Sequence, residues 1–337
     1  MIRYATVGTS AITEKFIAAC RLTGRYLPEA CYSRDKARGD EFAARHGFNK
    51  IYTDLSALAG DPDIDAVYVA SPNACHFDQC RLLLKSGKHV LVEKPAVTEG
   101  KELDELTALA DEKGVIFLEA IKPRFYAPGR DAIINALPFV GRISHARIDF
   151  SQRSSRYDAF CAGEHINIFD MSLAAGTLMD IGVYCVYAAV DLLGMPQNIV
   201  ASTADLLPNG ADFAGMTVFD YGTFHAVLTY GKIGAGALGS EIVGDRGTLT
   251  VGKISQYLDS SLTLTGQEPK LLHGSFDPIT TMRGEADRFA DFITDFAANE
   301  EDYRAFRVLC KNVHTCMDTI KAQAGLVYSK PQKMSNI

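Results

Sequence analysis

Clustered positive charge is missing from this chain. Its 34 Lys and Arg residues are outweighed by 41 Asp and Glu, for a net charge of −7, and no basic run stands out. Phosphate-backbone binding needs clustered cations, so nucleic acid is not expected as the main partner and a small-molecule ligand is. Cys-x-x-Cys pairs and histidine clusters at zinc spacing are also missing. The cysteines stand singly at Cys20, Cys31, Cys75, Cys80, Cys161, Cys185, Cys310 and Cys316, so no metal site is read, and most are expected to be reduced core residues of a cytoplasmic protein. The opening residues Met1 to Val7 enter a strand pattern without the basic and apolar regions of a signal peptide. The most apolar stretch, Ala174 to Leu193, is interrupted by Asp180 and Asp191. Those charges would be costly in lipid, so it reads as a buried helix and no membrane partner is expected.

What is present fits a folded protein. At 337 residues, with 47% hydrophobic and 22% charged residues, the chain exceeds the usual growth of one core, and two domains are expected. The first third alternates β-branched runs with longer helical stretches, the pattern of βαβ units on a parallel sheet. Strands are expected at Ile2–Val7, Leu27–Tyr32, Ala66–Ala70, Val90–Glu93 and Val115–Glu119, with a shorter one near Lys50–Tyr52. Helices between them end at Gly24, Gly47, Gly60, Gly87 and Gly114, since glycine closes helices readily. This Rossmann-type domain is expected to span residues 1–121. Past Arg124 the period changes to alternating strands at Ile143–Phe150, Ile199–Leu206, Met216–Phe219, Phe224–Thr229 and Ala237–Val243. Residues 122–337 are therefore expected to form an α+β domain with a mostly antiparallel open sheet, flanked by helices around Leu178–Leu193, Glu285–Ala298 and Arg304–Leu326. A loose tail is expected from Ser329.

The chemistry begins where the first strand ends. Gly8 follows Val7, the place for a tight turn that aims the next helix's amides at a pyrophosphate. In Gly8-Thr9-Ser10-Ala11-Ile12-Thr13 only the first glycine of Gly-x-Gly-x-x-Gly is kept, so the segment reads either as a dinucleotide loop or as an ordinary turn with Ser10 or Thr13 as helix cap. At the end of strand two, NAD enzymes carry Asp or Glu about 20 residues after the glycines. This chain has Ser33-Arg34 there, with Arg38 one turn on. A hydroxyl and a guanidinium suit a 2′-phosphate, which favours NADP. NAD stays open if Asp35 plays the acidic part.

Two further loops lie at carboxyl ends of strands, where doubly wound sheets bind ligands. One is Ser71-Pro72-Asn73-Ala74-Cys75-His76 and the other Glu93-Lys94-Pro95. A residue before proline is driven to extended backbone, which holds Lys94 at the strand's end. When hydride leaves an alcohol carbon a proton must also leave the hydroxyl, so a positioned cation and an acid/base are both useful there.

Four segments in order, Gly8 to Thr13, Ser71-Pro72-Asn73-x-x-His76, Gly87-Lys88-His89-Val90-x-x-Glu93-Lys94-Pro95 and Gly176-Thr177-Leu178-Met179-Asp180-Ile181-Gly182-Val183-Tyr184, resemble the Gfo/Idh/MocA oxidoreductase family. The resemblance implies that Lys94 is catalytic and that Asn73 and His76 lie near the nicotinamide end of the cofactor. With Ser33, Arg34 and Arg38 as read above, the whole expected cofactor set is Gly8, Thr9, Ser10, Ala11, Ile12, Ser33, Arg34, Arg38, Ser71, Pro72, Asn73, His76, Glu93 and Lys94. Many members have Asp-x-Gly-x-His on the second-domain helix, whereas this chain has Asp180-Ile181-Gly182-Val183-Tyr184. The tyrosine is similar to the branch of dimeric dihydrodiol dehydrogenases and NADP-dependent D-xylose dehydrogenases. At a spacing of four, both side chains share one helix face. A phenol with pKa near 10 can act as acid/base if Lys94 favours its phenolate, with Asp180 orienting substrate.

Arg124, Arg156 and Tyr157 are candidates for the substrate pocket, with His165 and Asn167 beside them, while Cys161 and Cys185 read as packing residues. The resemblance thus implies NADP-dependent hydride transfer at a hydroxyl-bearing carbon of a sugar or cyclic diol, with Lys94 and Tyr184 handling the proton and no metal. The alternatives are an NAD-linked polyol or inositol dehydrogenase and a non-catalytic dinucleotide-binding regulator. In Thr223–Tyr230 apolar residues fall on both strand faces, which predicts a sheet-mediated homodimer or a tetramer of such dimers.

Overall fold

The computed structural model describes Met1 to Tyr328, and the tail expected from Ser329 lies outside the described residues. The chain divides into two compact units. The first contains residues 1–121 together with 278–307, and the second contains residues 122–277 together with the described chain from 308 on.

In the first unit six parallel strands, β1 (Ile2–Val7), β2 (Tyr26–Tyr32), β3 (Lys50–Tyr52), β4 (Ala66–Val69), β5 (His89–Glu93) and β6 (Phe117–Ala120), lie in the order β3-β2-β1-β4-β5-β6. All of β4 and β6 and nearly all of β1 and β5 are buried, as parallel strands covered on both faces must be. The crossovers are α1 (Ala11–Thr23), α2 (Lys36–His46), α3 (Leu55–Ala59), α4 (Asn73–Lys85) and α5 (Gly100–Lys113). Local chemistry sets their limits. Asp35 and Asp54 cap α2 and α3 by accepting from the amides of Arg38 and Ser56, and α1, α2 and α5 stop at left-handed Gly24, Gly47 and Gly114. Strand order reverses between β1 and β4, so the loops after β1, β4 and β5 gather at the switch point where such sheets take ligands.

The boundary expected for the second domain needs correction. The helix Pro278–Thr294 and the start of the helix Phe296–Ala324 belong to the first unit, not to a domain running from 122 to the end. Tyr26 donates to the Ala286 carbonyl at 2.6 Å, Arg25 pairs with Asp291 at 2.6 Å, and the Tyr303 hydroxyl meets both the amide and the carbonyl of Phe117. An amphipathic helix docks wherever an apolar face awaits cover, and here Met282, Ala286, Phe289 and Ala290 are buried.

The second unit holds eight strands: β7 (Ile143–Ser151), β8 (Asn198–Leu206), β9 (Asp212–Asp220), β10 (His225–Gly231), β11 (Ser240–Gly244), β12 (Gly247–Lys253), β13 (Leu258–Leu264) and β14 (Lys270–His273). Their order is β14-β13-β12-β11-β7-β10-β9-β8, antiparallel throughout except for the parallel pair β7 and β10. The strands β12 to β14 were not anticipated. The stretch Met171–Leu193 is long and apolar enough to cross a membrane by length and composition, but it is buried within the protein. Its end is a single π-helical turn, Leu178–Gly182, followed by the α-helix Val183–Leu193. Gly182 lets this turn press on the sheet, since a Cβ there would lie 3.1 Å from the Tyr230 ring.

Candidate active site

In the first unit the loop after β1 has a dinucleotide-binding shape. Gly8 has φ +108°, and a Cβ on it would lie 2.7 Å from the Ala70 carbonyl oxygen, so only glycine lets the loops after β1 and β4 come so close. Ser10 occupies the cap position of α1 without a side-chain cap bond. Its hydroxyl instead lies 3.3 Å from that of Thr13. The amides that open α1 therefore receive no oxygen from Ser10, and with Thr9, Ala11 and Ile12 around them they suit a pyrophosphate.

At the end of β2, Ser33 is buried and bonded through its amide to the Tyr52 carbonyl. Gly39 allows this closeness, because a Cβ on it would lie 3.2 Å from that of Ser33. Arg34 is exposed; burial raises the pKa of both Tyr32 and Cys75, and the Arg34 charge opposes that rise. Asp35 spends its carboxylate on the α2 cap. Arg38 reaches back to the Thr9 carbonyl at 3.5 Å, which brings the start of α2 and the loop after β1, both in the expected nucleotide set, together.

The loops after β4 and β5 are tied from behind. His76 is fully buried, with Nδ1 2.9 Å from the Pro95 carbonyl and Nε2 2.9 Å from the Ser71 carbonyl. Burial pushes its pKa down while the two carbonyls push it up. The ring therefore braces the Ser71-Pro72-Asn73 loop against the Lys94-Pro95 loop, and the expected contact of His76 with cofactor is corrected to this supporting place. Ser71 donates to Gln79 at 2.6 Å. Glu93 also turns inward, accepting from the buried Tyr68 hydroxyl at 2.5 Å. Asn73 and Lys94 remain half-buried at the loop edges, and the Lys94–Pro95 peptide is cis.

In the second unit Asp180 sits in the π-turn and Tyr184 in the first turn of the following helix. The expectation of one α-helical face is thereby modified, because a π-turn adds a residue to the turn that carries Asp180. Such turns often mark functional positions. Asp180 forms an ion pair with Lys232, a residue that no motif in the sequence signalled. Tyr184 is buried and meets the Phe150 ring edge-on at 5.8 Å. Arg124 is half-buried, whereas Arg156 projects at the start of the short helix Tyr157–Cys161. Tyr157 packs edge-on against Phe169, and its hydrogen bond with Cys161 raises its pKa. His165 pairs with Asp170 at 2.7 Å, and Asn167 is exposed. Cys185 is wholly buried, which raises its pKa well above the ordinary thiol value and leaves it a packing residue.

A parallel sheet with a ligand crevice and a sheet unit that carries an acid, a lysine and a tyrosine define a two-part dinucleotide-dependent oxidoreductase. The chain belongs to the GFO/IDH/MocA oxidoreductase family: the model of its NAD-binding Rossmann fold matches residues 2–120 and that of its C-terminal domain residues 139–250. It is 35% identical to a scyllo-inositol 2-dehydrogenase (NADP(+)) of Bacillus subtilis over 98% of this chain and 100% of that one. It is 28% identical to a trans-1,2-dihydrobenzene-1,2-diol dehydrogenase of Danio rerio, over 98% of each chain. Among solved structures, a 3-ketoreductase of Actinomadura kijaniata in complex with NADP superposes with a TM-score of 0.84 at 22% identity, covering 96% of this chain and 98% of that one.

Proposed function

We propose that this oxidoreductase uses NADP and acts on a secondary alcohol, or the matching ketone, of a sugar or other cyclic polyol. The observation that carries the cofactor choice is the use of Asp35. Asp35 lies in the cap of α2, where its Oδ1 accepts the Arg38 amide, and the residues that directly follow β2 are Ser33 and Arg34, whose hydroxyl and guanidinium suit a 2′-phosphate. The 35%-identical relative is an NADP enzyme of an inositol, which separates the inositol substrate class from the NAD preference first expected to accompany it.

When bound, the nicotinamide supplies the hydride acceptor or donor. The residues of the chain handle the remainder. The loop after β1 and the α1 amides hold the pyrophosphate, and Ser33, Arg34 and Arg38 hold the 2′-phosphate. Lys94 offers a cation that lowers the cost of alkoxide charge. Asp180 accepts from a substrate hydroxyl and fixes the ring's orientation. Tyr184 would take the proton of the reacting hydroxyl as a phenolate, in oxidation, and return it as a phenol, in reduction. The exposed outer-face residues Met216 and Val200 support a homodimer formed through the sheet. Eight free cysteines support a reducing, cytoplasmic setting.

Nicotinamide fluorescence during titration with NADPH and NADH tests the cofactor reading. Wild type is expected to favour NADPH, and Arg34→Ala to lose about tenfold or more of that preference, in the range of a lost charge-assisted phosphate contact. Equal NADPH and NADH affinity in the wild type would overturn it. Oxidation of a panel containing scyllo-inositol and D-xylose with NADP+ tests the substrate class, and binding without turnover of any member would leave a nucleotide-binding regulator instead.

A further inference from the structure

Lys232 follows β10 directly and is 3% exposed at its side chain, yet the carboxylate it pairs with, Asp180, is 41% exposed. The asymmetry is informative. Burying an ammonium group costs several kcal/mol unless it is paired, so the enclosed Lys232 needs the carboxylate it meets. Here the cation is enclosed and the anion reaches solvent. A fully buried carboxylate is close by, Asp212, whose Oδ2 accepts from the Leu178 amide at 2.6 Å. Burial raises the Asp212 pKa and the charge of Lys232 lowers it. The ammonium nonetheless makes its ion pair with Asp180.

The backbone fixes Lys232 in the same region. Its amide donates to the Phe213 carbonyl at 2.9 Å, and its carbonyl accepts from the Ser154 amide at 2.7 Å. Its ammonium lies 5.7 Å from the centre of the Phe169 ring, close enough for a cation–π contact. One buried lysine thus touches the loop that carries Ser154, the apolar cluster around Phe169 and the π-turn that carries Asp180.

We infer that Lys232 is a positioning residue for substrate binding: it holds the Asp180 carboxylate oriented so that a hydroxyl of a cyclic polyol donates to it. This rests on the proposed role of Asp180 as a substrate ligand. An ion pair with a buried cation restrains the carboxylate, which lowers the ordering cost of binding. The Phe169 ring shields the lysine from water on a further side.

The test uses the full-length protein with NADP+ and whichever of scyllo-inositol and D-xylose the wild type oxidises faster, in Lys232→Met, Lys232→Arg, Asp180→Asn and the Lys232→Met/Asp180→Asn double variant. Methionine keeps the length and removes the charge. Nucleotide affinity, measured by nicotinamide fluorescence, is expected to stay within about twofold of wild type in every variant, and the urea midpoint of each variant reports whether the sheet unit is folded under the assay conditions. Lys232→Met is expected to raise the polyol KM about tenfold while kcat changes less, the signature of lost ground-state binding. Lys232→Arg is expected to restore most of it. In the Asp180→Asn background Lys232→Met is expected to add less than about twofold, because the two residues act as one unit. An unchanged KM in Lys232→Met, or effects of the two substitutions that multiply, would overturn the inference and leave the enzyme reading standing. A wild type that binds NADPH and oxidises neither polyol would overturn that reading, and the positioning role of Lys232 with it.

Discussion

The nucleotide unit and the sheet unit spend their polar side chains differently. In the first unit two exposed carboxylates cap the helices they precede, Asp35 onto Arg38 and Asp54 onto Ser56, while Glu93 and Asp291 are held by Tyr68 and Arg25 from far along the chain. In the second unit the buried charges find partners far along the chain, with Lys232 paired to Asp180 and Asp212 bonded to Leu178, 34 residues away. A local cap sets a helix boundary and little else, whereas a buried ion pair such as Lys232 with Asp180 lies where substrate recognition and stability meet.

The same contrast explains what was legible in the sequence. The ends of α2 and α5 lie where the sequence places them, because left-handed Gly47 and Gly114 close both helices. The order of the ligand loops followed from the βαβ pattern. In the second unit β12 and β13 escaped notice although Leu249, Val251, Leu258 and Leu262 alternate inward, because the residues between them are mostly Ser, Thr and Gly, which also signal loops. The docking of Pro278–Thr294 on the first unit and the pairing of Lys232 with Asp180 depend on contacts between distant segments, and no periodicity encodes those. The motif Asp180-x-x-x-Tyr184 was visible, but its π-turn was not.

Substitutions can break or sharpen this comparison. The largest expected effect is on turnover: Lys94→Ala and Tyr184→Phe are each expected to lower kcat by about 10²–10⁴ while NADPH affinity by fluorescence stays near wild type. If Lys94→Ala removed nucleotide binding instead, its place would be in the cofactor set alone. Next in size, Leu249→Ala in the fully buried interior of β12 is expected to cost about 2–5 kcal/mol in urea unfolding. Nucleotide affinity below the transition should be untouched, and a parallel loss would show that the sheet unit supports the nucleotide loops.

A pair of glycines sharpens the contrast further. Gly8→Ala places a Cβ against a backbone carbonyl, at 2.7 Å from the Ala70 oxygen, and Gly176→Ala places one 2.0 Å from the Asp212 Oδ1, both at positive φ. Each is expected to cost about 1–3 kcal/mol in strain. Gly8→Ala should also weaken NADPH binding, whereas Gly176→Ala should leave it intact and raise the polyol KM by disturbing the turn before Asp180. Equal nucleotide affinities in the two variants would argue against the loop after β1 as the pyrophosphate cradle.

The smallest expected effect concerns acid. His89 accepts the Ile116 amide on Nδ1 at 2.9 Å, a bond that needs that nitrogen unprotonated, and burial lowers its pKa from 6.5. Because the folded value lies below the unfolded one, the stabilisation from neutral His89 is present above pH 6.5 and is lost as pH falls from there through the lowered folded value. His76, also pushed down by burial, acts with the same sign. Melting temperature should therefore fall as pH is lowered from 7.5 to 5.5. His89→Asn should show a shallower slope, with the remainder carried by His76 and other groups. An unchanged slope in the variant would mean that His89 keeps the same proton affinity folded and unfolded, and that its bond to Ile116 does not resist protonation.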